Sequence, residues 1–344
     1  MFKRENRQRS FYDEVYERAV PERHFLRRLD ELIRWERLEK RLRPFYSERG
    51  RDAHNAVMMF KLLTLQFLYD LSDRELEEAA RDRISFRWFC RIEPVGAPPD
   101  YTAFTRFRDR IGPDLIKKLF DEVVNESAHE GFVLDKLSLV DASAIKAKVD
   151  IYKLKKPESD EDSAKGAEPG PGGPDLDARW GKKSEKKSFF GYKAHLAVDD
   201  GSDLITQVEV SPGNVHDGAF FPEVHDPYAE GVTADKAYDS AANFELIRSS
   251  GQLPAIIPKR KRGQKRGHVA GRYDDFERGY YYRMKKRRPR VEHKFAEGKK
   301  YQGLGVARYW GLVKVRVQVF MTALALNLKR LVALKWGQAR WELA

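Results

Sequence analysis

A single cysteine, Cys90, stands among the 344 residues. Disulfide stapling is thereby excluded, and so is a zinc site built of several thiolates, which would need partners the chain lacks. Within Phe86-Arg87-Trp88-Phe89-Cys90 the thiol reads as a small buried side chain in a reducing compartment. Long apolar runs are scarce as well. None is expected to reach the roughly 18 to 20 residues of a membrane span, and Met1-Phe2-Lys3-Arg4-Glu5-Asn6 lacks an apolar signal segment, so a soluble, cytoplasmic protein without a membrane partner is expected. Acid is short relative to base: 65 Lys and Arg against 53 Asp and Glu leave a formal charge of +12 and a pI near 9.5. Such an excess favours a polyanion, because Lys and Arg gain affinity for nucleic acid by displacing condensed counterions, with acidic membranes as the competing class.

What is present falls into two patterns. Residues 1–130 read as a helical domain. Phe25, Leu29, Leu32, Ile33 and Leu38 recur at helical spacing, and Pro44 closes the segment. Val57, Phe60, Leu63 and Phe67 mark a more buried helix, and Ser72 with Glu75 has the spacing of a capping box. After the 94–99 loop, a helix carries Arg106, Arg108 and Arg110 among Phe104 and Phe107.

From 131 to 338 the periodicity turns mixed α/β. Leu137–Asp141, Tyr192–Val198, Leu204–Val210 and Gly231–Asp235 read as strands, followed by a helix near Ala241–Ser249 and a short strand at Ala255–Ile257. Residues 150–188, and above all those from Lys155, are rich in Pro, Gly and charge and are expected to form a flexible insertion. The segment 259–290 is intensely basic, from Lys259-Arg260-Lys261-Arg262 to Lys285-Lys286-Arg287-Arg288, and its mutual repulsion calls for an outside anion. The stretch from Gly311 to about Leu334 is apolar and helical, expected to pack against the sheet.

Asp141 and Asp235 each end a strand, where an apolar run meets an acid. A turn or cap role is the plain alternative for either one, but neighbouring strand ends can share a cleft. Arg288, Glu292, Phe295 and Lys299 fall on one helical face, with Pro289 suited to the first turn. Three carboxylates from separate elements suit a hard cation such as Mg²⁺ or Mn²⁺. Two such ions about 3.5 to 4 Å apart promote in-line phosphodiester chemistry.

Five blocks then carry a resemblance. Leu139-Val140-Asp141-Ala142-Ser143, Phe190-Gly191-Tyr192-Lys193-Ala194-His195-Leu196-Ala197-Val198-Asp199, Asn214-Val215-His216-Asp217, Ala234-Asp235-Lys236-Ala237-Tyr238-Asp239-Ser240 and Val291-Glu292-His293-Lys294-Phe295 resemble, in order and spacing, bacterial insertion-sequence transposases of the IS-five type, within the group that includes the IS-four type. Tyr69–Leu76, Phe86–Phe89 and Asp100–Arg108 are similar to the helical domain that precedes their catalytic core. The resemblance implies a ribonuclease-H-like (retroviral-integrase-like) mixed-sheet core after an all-α domain. Asp141, Asp235 and Glu292 then stand as catalytic, metal-holding acids of a DDE site with two Mg²⁺ or Mn²⁺ ions. Arg288 and Lys299 fit the family's Tyr-Arg-Glu-Lys signature, whereas Lys285 stands in the Tyr place.

The expected function is cleavage at terminal inverted repeats and strand transfer of the 3′-hydroxyl ends into target DNA, by a homodimer or larger assembly on double-stranded DNA at the bacterial nucleoid. Arg288, Lys299, Lys285, Lys259, Arg260, Lys261 and Arg262 are the candidate phosphate contacts; Arg106 and Arg108 are candidate contacts in the helical domain. His195 is expected to be a structural or phosphate-facing imidazole instead of a general base, and Tyr238 and Asp239 to fix the turn behind Asp235. A ribonuclease-H-like nuclease without strand transfer, and a catalytically inactive DNA-binding regulator derived from a transposase, are the rival readings.

Overall fold

The computed structural model of the protein describes residues 11–47, 53–93, 95–150, 175–184, 187–259 and 271–337. Arg260, Lys261 and Arg262, and residues 151–174, 185 and 186 of the expected insertion, lie outside that set. Two compact units emerge: Met1–Leu119 together with Leu324–Ala344, and Phe120–Ala323.

The first unit is helical. Ala56–Leu68 is buried at every position except Met58, which is why its sequence shows little amphipathic contrast. The one cation in that helix, Lys61, is 2% exposed; it meets Asp30 at 2.8 Å and lies over the Trp35 and Phe89 rings. Asp73–Asp82 opens with the expected capping box, in which Ser72 and Glu75 satisfy each other's backbone N–H groups. Cys90 is buried, and burial pushes its thiol well above the usual range. Tyr101–His129 is two helices meeting at Gly112, whose φ of 64° and ψ of 176° leave helical space; Pro113 opens the second.

The second unit is built on a six-stranded mixed sheet: β1 (Ser138–Lys146), β2 (Arg179–Ser184), β3 (Lys187–Asp199), β4 (Ile205–Pro212), β5 (Gly231–Ala234) and β6 (Leu253–Pro254). Strand β3 pairs antiparallel with β1, β2 and β4, whereas β5 runs parallel to β1 and β6 parallel to β5. An antiparallel meander extended by parallel strands on its first strand is the ribonuclease-H-like core that the resemblance implies. Strand β3 is central, with Phe190–Asp199 buried at every position but Lys193, so it reads as a continuous apolar run instead of an alternation.

Three expectations are corrected. Residues 179–184 do not belong to a flexible insertion: they form β2, and Trp180 packs edge-on to Phe190 at 5.6 Å. The sixth strand lies at Leu253–Pro254, although Ala255 and Ile257 continue its bonding to Val232 and Ala234. Finally, the helix Leu312–Trp336 is long and apolar enough to cross a membrane by length and composition; 78% of its most apolar window is buried inside the protein, as a core helix requires.

Candidate active site

The site begins with register. Strand β1 pairs with β5 through Val140 beside Ala234, so the next residues, Asp141 and Asp235, leave neighbouring parallel strands roughly 4.8 Å apart. There β5 ends, while β1 runs on to Lys146, leaving a notch along its edge. Asp235 caps the turn that follows, accepting the Ala237 N–H at 2.7 Å. Asp239, two residues beyond Ala237, accepts the Lys259 N–H at 2.6 Å and pairs with Arg272 at 3.1 Å, which fixes that turn from behind.

Glu292 arrives on Pro289–Tyr301, a helix started by Pro289 at its first turn and seated on β1 and β3, with Val291 and Phe295 buried. Paired arginines hold the entry to this helix: Arg287 and Arg290 meet Asp200 in the β3–β4 turn at 2.6 and 2.8 Å, and Lys294 meets Asp203 at 2.7 Å. The charge of the basic segment is therefore relieved partly by carboxylates of the same chain, not only by an outside anion. Lys285 lies over the rings of Tyr281 and Tyr282 at 5.0 and 4.4 Å.

Arg288 connects the acids. Its guanidinium reaches Glu292 at 2.8 Å and Asp141 at 3.3 Å, with side-chain exposures of 18%, 55% and 15% for Arg288, Glu292 and Asp141. Burial pushes the Asp141 carboxyl up to about 6; Arg288 and the Ala142 N–H oppose that shift, and the charges of Asp235 and Glu292 add to it. A buried acid crowded by two others is an excess of negative charge that a cation relieves, and all the donors are hard oxygens suited to Mg²⁺ or Mn²⁺. Among the described residues no three acids, His or Cys are yet gathered in ion-holding geometry. Arg288 stands between two of the acids instead. Lys299, nearly two turns beyond Glu292, bonds the Ser143 hydroxyl two residues past Asp141.

Other candidates sort themselves by burial. Arg106 is exposed, held to Thr102 at 2.7 Å. Arg108 is a correction: it is 5% exposed, and both guanidinium nitrogens bond Asp73, at 2.7 and 2.6 Å, so it is not a DNA contact. His195 is fully buried, bonded to Ser211 at 2.8 Å, and burial lowers its pKa to about 4, which keeps it neutral and structural. Sequence reasoning missed Ser143 as a partner of Lys299, although its spacing of two from Asp141 puts both on one side of a strand. Tyr238, expected to fix the turn behind Asp235, is fully buried, and its hydroxyl has no hydrogen-bond partner among the described residues while lying in the field of Asp217, Asp141 and Asp235.

Comparison with known proteins identifies the family. Residues 14–110 match the model of a transposase domain (DUF772), and residues 135–328 match that of a transposase DDE domain. A solved structure of the piggyBac transposase synaptic complex with hairpin DNA is similar over 94% of this chain and 76% of that chain, at 10% identity and a TM-score of 0.40, too loosely to transfer residue roles. With the second family match covering more than half of its length and the acids of β1 and β5 in register inside it, the chain belongs to the DDE transposases.

Proposed function

We propose that this transposase is of the IS-five type, cuts DNA at the terminal inverted repeats of its own element and joins the freed 3′-hydroxyl ends to target DNA. The observation that carries the reading is the register that sets Asp141 beside Asp235, with Glu292 linked to Asp141 through Arg288. Asp141, Asp235 and Glu292 would hold Mg²⁺ or Mn²⁺, two ions in the full site, which supply charge neutralisation to the attacking and leaving oxygens. The protein's own part is placement. Arg288, drawn from between the carboxylates, turns its guanidinium to a phosphate, for which its planar fork suits it. Lys299 brings a second positive charge along β1.

Lys285 and Lys259, with Arg260, Lys261 and Arg262 outside the described residues, extend a phosphate track, while Arg106 serves the helical unit. Phosphate contacts set position without reading sequence. Two element ends joined in one event call for at least a homodimer on double-stranded DNA, at the nucleoid of a bacterial cell.

The test is a joining assay with duplexes of the DNA that flanks the gene, supplied pre-cleaved with free 3′-hydroxyls, target DNA and Mg²⁺. Products covalently joined to target support the reading; hydrolysis without joining replaces it with that of a nuclease.

A further inference from the structure

We propose that the open edge of β1 beyond Asp141, centred on Ala144, is a backbone subsite for the DNA phosphodiester that neighbours the one being cut. This rests on the joining function proposed above and names a contact within it.

Strand β1 is paired on its β5 side only as far as Val140, and the same side is closed again at Lys146, which gives its N–H to Gly305 at 3.0 Å and takes that of Ala307 at 2.8 Å. Lys146, Ala144 and Ala142 share one parity, so their N–H and C=O groups face away from β3, whereas Ala147 donates to Phe190 on the β3 side. Of the two positions between the closed ends, the Ala142 N–H faces the Asp141 carboxylate. The Ala144 N–H and C=O meet no group among the described residues. A sheet edge left open in the middle of a strand is a fault that proteins normally cover, and here it begins just past Asp141.

The shape of the notch selects its occupant. From Val140 to Lys146 the chain advances roughly 20 Å at about 3.3 Å per residue, and only the middle of that span is open, too short for an added strand of ordinary length. Ala142, Ser143 and Ala144 line it with small, half-buried side chains, so a ligand can reach the main chain. Its charge is mixed in a way that suits a phosphodiester beside a reacting one. Lys299, bonded to Ser143 beside Ala144, supplies a cation, and Asp141 and Asp235 stand where the pairing of β1 with β5 stops. The fully buried Tyr238 hydroxyl, without a hydrogen-bond partner among the described residues, lies within the field of both aspartates. Backbone N–H groups are ordinary phosphate ligands in DNA complexes, and an amide whose donor faces a charged oxygen gives one of the stronger hydrogen bonds.

Proline offers a direct test, because it deletes an N–H and is tolerated where that N–H is not part of the ladder. Full-length wild-type protein and Ala144→Pro are compared for binding to the flanking-end duplex, once with natural linkages and once with a neutral methylphosphonate at the linkage next to the cut. Wild type should lose about tenfold in affinity on that replacement, and A144P, already weakened, should lose nothing further. An equal methylphosphonate penalty in both proteins overturns the subsite. If thermal melting shows A144P unfolded, full-length protein with lactic acid in place of Ala144 replaces it: the resulting backbone ester deletes the N–H without adding a ring, so an undiminished methylphosphonate penalty in that folded protein likewise overturns the subsite. Wild type that neither binds nor cuts the flanking duplex fails the function itself, a result distinct from either.

Discussion

Arg108 in the helical unit and Arg288 in the catalytic unit both stand against carboxylates, and their difference separates scaffold from site. Arg108 is sealed: two parallel bonds to one carboxylate, a third to Gln66, and a fourth to Thr105. Arg288 is divided between two acids from different elements, one contact long at 3.3 Å, with its buried Nε left without a partner among the described residues. A satisfied bidentate pair fixes structure, whereas an unequal division of one cation between two acids can be exchanged for another cation.

The largest effect expected from this contrast is on stability. Arg108→Ala strands Asp73 with its desolvation uncompensated and should lower unfolding stability by about 3 kcal/mol, read by denaturant titration. Arg288→Gln, by contrast, should cost less than about 1 kcal/mol, because Glu292 is 55% exposed and solvent can take over, and the contact with buried Asp141 is already long at 3.3 Å. Equal losses would erase the distinction.

A smaller effect sharpens it from the other side. With the guanidinium removed, Arg288→Gln should bind Mn²⁺ about tenfold more tightly in the absence of DNA, or about 1.4 kcal/mol, by calorimetric titration. Unchanged or weaker binding would mean that Arg288 is no stand-in for the ion. Smaller again is a pH effect. The Asp141 carboxyl is raised to about 6, so it is protonated below that value and ionised above it. Stabilisation of the melting temperature by Mn²⁺ should therefore be present above about 6 and fade as pH falls through it. Without metal the sign reverses: this group's contribution to stability is lost as pH rises from the ordinary carboxylate range through about 6.

How far the sequence reveals this arrangement depends on the kind of interaction. The Ser72–Glu75 capping box is local, and it is legible as a spacing. The strands that end in Asp141 and Asp235 are legible because an apolar run stops at an acid, but their adjacency is a matter of parallel pairing between residues far apart in the chain, which only the family blocks implied. Arg108 reads like Arg106 in sequence; what buries it is Asp73, 35 residues away, and no local pattern encodes that pairing. Strand β2 was hidden in the opposite way. Its Arg179-Trp180-Gly181-Lys182 looks too polar for a strand, yet Gly181 packs so closely on Gly213 and Phe189 that an added Cβ would stand 2.3 Å from the Gly213 carbonyl oxygen. The second capping box, Asp274 with Glu277, was as readable as the first and was overshadowed by the basic run around it.

The central claim is that the acids brought into register on β1 and β5 perform the joining chemistry. Its most direct test is Asp235→Ala in the Mg²⁺-dependent joining reaction with pre-cleaved ends, run beside end binding by the same protein. Joining should be abolished while end binding stays at the wild-type level; joined products from D235A at the wild-type rate would contradict the account.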